Sequence, residues 1–339
     1  MEAVGAHSVS AGTDVIRQRH LEANGIRIRV SEAGEGPLIL LLHGFPELGH
    51  SYRHQLVALA EAGYHAVAPD QRGYGGTDAP SDPLAYTQLH LAGDAVGIVQ
   101  ALGADEVVVV GHDWGSPLAA NIALFRPDLV RGLVLLSVPY TPRGQTDVLS
   151  GLEALLGPNN YQSYFQTDAA QRELEADPRR TMLATLVGMS GDRPDTVETL
   201  SSAEQGWLPM MGEPPEQLPA WLTPEDLDHY AREFARTGFL GGLNWYRVSR
   251  TNWELLAPWH HAHLQPPTLF VGGDRDPVLA WPAMREWATD GMRAVVPRLI
   301  RSELLDGCGH WIQQERSAEV NELLLEFLAG LERDGDGPA

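Results

Sequence analysis

Residues 107–116 read VVVVGHDWGS, a β-branched run followed by an aspartate, Asp113, that lies between small residues. A short run of this kind is typical of a fully buried strand. The pattern small-x-nucleophile-x-small, with Gly111 and Gly115 around Asp113, is that of a strained turn from a strand into a helix. Such an elbow lifts one side chain above the sheet, so the stretch predicts that Asp113 is the reactive group.

The identity of residue 113 limits the chemistry. A serine at an elbow must lose a proton before it attacks, whereas an aspartate is ionised at neutral pH without assistance. A carboxylate attacks well at saturated carbon, and the product is an alkyl ester that water must then hydrolyse. Asp113 therefore predicts displacement at an sp³ carbon and excludes a serine-type esterase or peptidase.

Strand and helix patterns alternate along the chain around this elbow. The predicted strands are residues 20–30 (with a hairpin turn at Asn24-Gly25), 37–42, 65–69, 106–110, 130–138, 268–271 and 298–305. Helical patterns at 91–102, 118–124 and 320–331 complete the alternation. This order predicts an α/β protein, with a mostly parallel central sheet and helices on both faces.

A helical insertion interrupts the alternation. Residues 140–252 show only helical patterns, and Thr223-Pro224-Glu225-Asp226 indicates a helix start. The predicted organisation is an N-terminal tail (1–19), a first core segment (20–139), a helical cap (140–252), a second core segment (253–332) and a C-terminal tail (333–339).

Composition excludes several classes of partner. The 339 residues carry a formal net charge of −21, and all 24 basic residues are arginine. An acidic surface disfavours nucleic acid and anionic membranes. No unbroken apolar run of about 18 residues occurs, and the N-terminus lacks a signal-peptide pattern. The single cysteine, Cys308, fits a cytoplasmic protein without disulfides.

A base for ester hydrolysis is expected in the loop Asp306-Gly307-Cys308-Gly309-His310-Trp311. His310 resembles the histidine that comes last in the nucleophile–acid–histidine order of the α/β hydrolases. Its carboxylate partner is expected after the strand at 268–271. Asp276 lies far enough along that loop to reach back to the histidine, and Asp274 is the competing candidate.

Backbone N–H groups near the nucleophile would stabilise an oxyanion. The candidates are Trp114, directly after Asp113, and Phe45 in His43-Gly44-Phe45-Pro46, which ends a predicted strand. The run His260-His261-Ala262-His263 lacks an accompanying carboxylate or thiolate, so neither a metal nor another cofactor is expected.

Five segments together resemble the soluble-type epoxide hydrolases from about residue 20 to 331. These segments are HGFP, DQRGYG, GHDWGS, GDRDP and GHWIQQE. The resemblance implies the α/β-hydrolase fold and conversion of an epoxide and water to a vicinal diol. It also implies a small apolar epoxide as substrate and a role in detoxification, and it leaves a homodimer open.

Two segments of the predicted cap resemble those that supply the family's lid tyrosines. They are NYQSYFQ, residues 160–166, and NWYR, residues 244–247. The resemblance assigns the tyrosines to Tyr161 and Tyr246, with Tyr164 as the rival of Tyr161. Two phenol O–H groups would bond the epoxide oxygen as charge develops on it. The expected substrate-binding residues are Phe45, Pro46, Trp114, Tyr161, Tyr246 and Trp311.

Three alternatives to an epoxide hydrolase are compatible with parts of this sequence. A haloalkane dehalogenase shares the aspartate elbow and the following tryptophan, but Phe45 offers no second side-chain donor for a halide. A fluoroacetate dehalogenase would need an arginine at position 114 to bind the substrate carboxylate, and this chain has Trp114 there. A non-catalytic small-molecule sensor could use the same fold, although the complete set of Asp113, His310 and Asp276 argues against it.

Overall fold

One eight-stranded sheet forms the centre of the computed structural model, which describes residues 15–193, 200 and 203–335. The strands are β1 (Arg17–Ala23), β2 (Ile26–Ala33), β3 (Leu38–Leu42), β4 (His65–Pro69), β5 (Val107–His112), β6 (Val130–Leu136), β7 (Thr268–Gly273) and β8 (Leu299–Leu305). Their order is β1-β2-β4-β3-β5-β6-β7-β8. The β1–β2 and β2–β4 pairs are antiparallel, and the other neighbouring pairs are parallel. The predicted fold class is confirmed.

Helices lie between these strands and after the last of them. They are α1 (Arg53–Glu61), α2 (Gln88–Ala101), α3 (Gly115–Phe125), α4 (Val148–Leu156), α5 (Tyr161–Phe165), α6 (Asp168–Ala176), α7 (Pro178–Gly188), α8 (Trp207–Met211), α9 (Pro224–Thr237), α10 (Leu240–Arg247), α11 (Ser249–Leu255), α12 (Pro282–Thr289), α13 (Ile312–Glu315) and α14 (Ser317–Gly335). Helices α4 to α11 all lie between β6 and β7, where the sequence predicts the helical insertion.

Alternate residues of the central strands pack against helices on opposite faces. In β3, Leu41 belongs to the same buried cluster as Leu56 of α1 and Phe327 of α14. Leu40 belongs to the cluster that contains Leu118 of α3. Successive side chains of a strand point to opposite faces, so the unbroken apolar run of β3 fills two cores.

The helix start predicted at residues 223–226 is confirmed at α9. The Thr223 side chain accepts from the backbone N–H of Asp226, whose carboxylate accepts in return from the Thr223 N–H. This capping box fixes the first turn. Leu227, Tyr230 and Phe234 then form the buried face of the helix.

Both predicted tails need correction at their inner ends. Strand β1 begins at Arg17, inside the predicted tail 1–19, because Arg17 pairs with Glu32 of β2. Helix α14 continues to Gly335, inside the predicted tail 333–339. Residues 1–14 and 336–339 lie outside the described residues. Strand β5 also runs beyond its predicted end, because His112 still pairs with Leu136 of β6.

The loops that follow four strands carry the predicted site residues. Phe45 follows β3, Asp113 follows β5, Asp276 follows β7 and His310 follows β8. These strands are mutually parallel, so their carboxyl ends meet at one edge of the sheet, where ligands bind in open α/β sheets. The topology alone therefore brings the four residues together.

Candidate active site

The elbow at Asp113 is strained and tightly packed. Asp113 has a φ of 50°, a left-handed conformation that non-glycine residues rarely adopt. A Cβ at Gly111 would collide with the carbonyl of Gly115, and a Cβ at Gly115 would collide with the carbonyl of Leu42. Close backbone approach therefore requires both glycines, and the predicted elbow is confirmed.

A histidine and two carboxylates lie in line at the edge of the sheet. The Nδ1 atom of His310 lies 2.9 Å from Oδ2 of Asp276, and its Nε2 atom lies 3.5 Å from Oδ2 of Asp113. His310 and Asp276 are completely shielded, whereas the Asp113 side chain is 17% exposed. The imidazole is thus held on one side and faces an accessible carboxylate on the other.

The two carboxylates determine the charge of His310. Burial lowers the pKa of the imidazole, but Asp276 and Asp113 more than offset this and hold the pKa well above its ordinary value. The two charges therefore favour the protonated form of His310 in the free protein. Removal of either negative charge would favour its neutral form.

The structure brings Asp276, and not Asp274, to the histidine. The second carboxylate oxygen of Asp276 accepts from the backbone N–H of Val278 at 2.8 Å. Asp276 is therefore fixed by its own turn while it binds His310. Asp274 follows β7 more closely, and its main-chain carbonyl accepts from Arg285 instead.

One predicted oxyanion donor points at the nucleophile. The backbone N–H of Phe45 donates to Oδ1 of Asp113 at 2.7 Å. The Asp113 carboxylate thus has one oxygen on this N–H and the other facing His310. The assignment of the Trp114 N–H as the second donor stays a prediction.

Two of the three candidate tyrosines lie together near Asp113. The rings of Tyr161 in α5 and Tyr246 in α10 are 6.3 Å apart at 81°, and Tyr246 lies 5.0 Å from the ring of Trp114. Tyr164 differs, because its hydroxyl donates to the carboxylate of Glu173 at 2.8 Å.

Both phenols keep their protons at neutral pH. Burial raises the pKa of Tyr161, with a smaller opposing effect from a hydrogen bond to Gln162. Burial also raises the pKa of Tyr246 well above its usual value, and the Asp113 charge acts in the same direction. Each hydroxyl can therefore act as a hydrogen-bond donor.

A cavity of about 330 Å³ extends from the nucleophile beneath the helical insertion. Asp113, Trp114 and Tyr161 share its wall with Val278 and with mainly apolar side chains of α4, α11 and α12. The site is therefore a concave, largely apolar pocket with a few polar groups, as is typical of small-molecule sites.

The expected wall residues behave differently from one another. The prediction that Trp311 contacts substrate is wrong, because its side chain has no exposed surface and its indole N–H donates to the carbonyl of Leu186. Phe45 and Pro46 are also buried, and the Phe45 ring packs 5.4 Å from Tyr246. Their contact with substrate stays a prediction.

Comparisons with known proteins agree with this geometry. A family model described as the alpha/beta hydrolase fold matches residues 37–317. Epoxide hydrolase A of Mycobacterium tuberculosis is 45% identical over 321 residues, which are 93% of this chain and 98% of the relative. Epoxide hydrolase 2 of Siraitia grosvenorii is 42% identical over 316 residues, or 92% and 98% of the two chains.

A solved structure is similar over the same extent. The crystal structure of epoxide hydrolase A from Mycobacterium thermoresistibile matches with a TM-score of 0.86 and 46% identity, over 93% of this chain and 98% of that chain. The chain belongs to the epoxide hydrolases of the α/β-hydrolase family. The resemblance of its five sequence segments to that family is therefore confirmed.

A buried, hydrogen-bonded pair of side chains, Glu47 and His112, lies directly behind the nucleophile of this epoxide hydrolase. His112 Nδ1 lies 2.6 Å from the carboxylate of Glu47, and its Nε2 lies 2.7 Å from the carbonyl of His310. Burial opposes ionisation of Glu47, but the His112 ring holds the pKa of that carboxyl down at about 2. The pair connects the loop after β3 to the residue before Asp113 and to the histidine loop.

A second buried carboxylate holds the histidine loop itself. Glu315 in α13 accepts from the backbone N–H groups of Gly309 at 2.9 Å, Trp311 at 3.0 Å and Gly191 at 2.9 Å. The N–H of His310 donates to the carbonyl of Met189 at 2.9 Å. The base is therefore tied to residues that follow α7 in the helical insertion.

Sequence reasoning missed both of these carboxylates, Glu47 and Glu315.

Within the described residues, no cluster of three or more histidine, cysteine or acidic side chains could hold a metal ion. No helix of the described ranges is both long and apolar enough to cross a bilayer.

Proposed function

We propose that this epoxide hydrolase adds water to an apolar epoxide in two steps, through an alkyl ester on Asp113. In the first step, one carboxylate oxygen attacks a ring carbon, and the bond from that carbon to the epoxide oxygen breaks. The observation that carries the proposal is the position of Asp113. Its carboxylate reaches the apolar cavity, and its two oxygens face the Phe45 N–H and His310.

Tyr161 and Tyr246 stabilise the leaving oxygen. Both phenols are protonated at neutral pH, and their rings lie near each other beside Asp113. A negative charge develops on the epoxide oxygen as the ring opens, and two preorganised O–H donors stabilise it more than they stabilise the bound epoxide. The oxygen finally takes up a proton from one of the two phenols and becomes the first hydroxyl of the diol, and the phenolate regains a proton as the His310 imidazolium loses one.

His310 activates water for the second step. A neutral imidazole takes a proton from water, and the resulting hydroxide attacks the ester carbonyl of Asp113. Asp276 holds the ring and stabilises the imidazolium that forms. The N–H groups of Phe45 and Trp114 bind the oxyanion, and its collapse releases the diol and regenerates the Asp113 carboxylate.

Esterification of Asp113 prepares His310 for this role. The charge of Asp113 helps to keep the imidazole protonated in the free enzyme. The ester is neutral, so it no longer opposes loss of that proton. The neutral form of His310, which can accept a proton from water, is thus favoured after the nucleophile has reacted.

Residues 140–252 act as a cap over the active site. The enzyme works in the cytoplasm, where it detoxifies epoxides. Support for the cap comes from helices α4 to α11, which supply both tyrosines and part of the cavity wall. Support for the compartment comes from the single, buried thiol of Cys308. Assembly as a homodimer stays a prediction.

Incubation with styrene oxide and, separately, with 1-bromobutane tests the proposed reaction. Phenyl diol without bromide release is the expected result. Bromide release without diol would overturn the proposal in favour of a haloalkane dehalogenase, and the absence of both would favour a sensor. Asp113→Asn is the matched control, because it keeps the size of the side chain and removes the nucleophilic charge.

A further inference from the structure

The side chain next to Tyr161 is bonded to its hydroxyl. The Nε2 atom of Gln162 lies 3.0 Å from the phenol oxygen of Tyr161, at hydrogen-bond distance. Gln162 is only 7% exposed, and it lines the same cavity as Asp113 and Tyr161. The amide therefore belongs to the interior of the site and not to the surface of the helical insertion.

Local structure holds Gln162 in this position. Its backbone N–H donates at 3.0 Å to the side chain of Asn160, which also accepts from Ser163 and so caps the short helix α5. Its carbonyl accepts from the Gln166 side chain at 2.9 Å. Both backbone polar groups of Gln162 are thus hydrogen-bonded while its amide reaches the neighbouring phenol.

The direction of this bond matters for the chemistry. A phenol has one O–H to donate and lone pairs that accept. The amide N–H of Gln162 donates to a lone pair of the Tyr161 oxygen. Gln162 therefore does not accept the hydroxyl proton of Tyr161. An amide oxygen in the same place would instead attract that proton away from the epoxide.

We propose that Gln162 is a positioning residue for ring opening, whose amide directs the Tyr161 hydroxyl proton toward the epoxide oxygen and strengthens it as a donor. This inference rests on the proposed function, because it takes Tyr161 as a donor to the epoxide. As the hydroxyl gives up its proton to the oxygen, negative charge grows on the phenol. The Gln162 N–H bond strengthens with that charge.

The second tyrosine provides an internal comparison. Tyr246 packs at 90° against Trp114 and lies on a different helix, α10. Gln162 is bonded to Tyr161 alone among the two lid phenols in the described structure. Loss of the amide should therefore weaken one donor and leave the other in place, so ring opening should slow without stopping.

Transient kinetics on Gln162→Met tests the proposal, since methionine has a similar volume and no donor. Formation of the alkyl ester from styrene oxide should slow about 3- to 10-fold, the size of one neutral hydrogen bond. Hydrolysis of the ester should keep its rate, because His310 does not contact Gln162. In a Tyr161→Phe background, Gln162→Met should cause no further loss.

The Tyr161→Phe and Gln162→Met variants and their combination form a double-mutant cycle. Additive losses of ester-formation rate in this cycle, or an equal slowing of ester formation and ester hydrolysis, would overturn the inference and assign Gln162 a merely structural role. Gln166→Met, directly after the same helix, is the matched control, because the Gln166 amide bonds backbone carbonyls and not the Tyr161 hydroxyl. If this control reproduced the whole pattern, loosening of α5 would be the cause. Full activity of Tyr161→Phe would instead contradict the proposed function itself.

A second variant keeps the test decisive if Gln162→Met fails to fold. In Gln162→Glu the introduced carboxylate accepts and cannot donate, so it should bind the Tyr161 proton and slow ester formation at neutral pH. At acid pH that carboxylate takes up a proton and can donate again. The ratio of ester-formation rates, variant to wild type, should therefore recover on acidification. A ratio that did not change with pH would contradict the proposal.

Discussion

His310 faces Asp113 across 3.5 Å while it binds Asp276 at 2.9 Å. The base is thus oriented by one carboxylate and is not needed to create the nucleophile, which is already ionised. The two halves of the reaction consequently make separate demands on the site.

His310→Gln should separate the two chemical steps. Asp113 should still open one equivalent of epoxide, after which the ester should accumulate, because water remains a poor nucleophile without a base. Intact-protein mass spectrometry should show one substrate mass on Asp113 in this variant and none in Asp113→Ala. Normal turnover of His310→Gln, or an adduct on another residue, would contradict the assignment.

The pKa of His310 should fall when the charge of Asp113 is removed. Burial lowers this pKa, and the two carboxylates raise it well above its ordinary value, so Asp113→Asn should lower it by the loss of one partner. NMR titration of the imidazole in both proteins measures the difference. An unchanged or higher pKa in Asp113→Asn would show that the charge on Asp113 does not control the base.

The same pKa has a consequence for stability. A histidine whose pKa is raised on folding contributes stability that is complete below about pH 6.5, the unfolded value, and is lost as pH rises through the folded pKa. Urea denaturation should therefore show that the advantage of wild type over His310→Gln shrinks toward alkaline pH. An advantage that grew with pH would have the wrong sign.

Tyr246→Phe should slow ester formation by about 10- to 1000-fold, since it removes one donor to the developing oxyanion. Tyr164→Phe is the matched control, because the Tyr164 hydroxyl is already bonded to Glu173. Its ester-formation rate should stay near that of wild type. Rapid-quench measurement of the ester decides the matter, and equal effects of the two substitutions would reject the pairing of Tyr161 with Tyr246.

Glu315→Gln should destabilise the protein and misplace its base. The carboxylate accepts three backbone N–H groups, and an amide presents one oxygen and one unwanted NH₂ to them. We expect a loss of about 1–3 kcal/mol in the free energy of unfolding and slower ester hydrolysis, with little change in ester formation. Glu319→Gln, an exposed acid on α14, is the control. Identical behaviour of the two variants would refute this role.

Local patterns made much of the site predictable. The elbow at Asp113 depends on glycines two residues away on either side, and His310 and Asp276 follow strands whose order is fixed by the α/β topology. Only the resemblance to a family indicates Tyr161 and Tyr246, because nothing in their own segments requires that the two rings meet.

Contacts between distant segments were not predictable in this way. Glu47 lies in the HGFPEL segment, but its partner His112 is 65 residues away, and their hydrogen bond exists only once β3 and β5 are neighbours. Trp311 fails for a related reason. Its position next to His310 does not determine the orientation of the indole. The indole N–H donates to the carbonyl of Leu186, and the ring lies in the core.

The bonds of the histidine loop to Leu186 and Met189, and of Glu315 to Gly191, restrict how this protein can be recombined. A Cβ at Gly191 would collide with the carbonyl of Gly307, so the two backbones are in direct contact. A chimera that exchanged the whole insertion for that of a relative would also replace the residues that hold the loop of His310 in place. A graft that is intended to change substrate preference should therefore retain residues 186–191 of the protein that supplies the core.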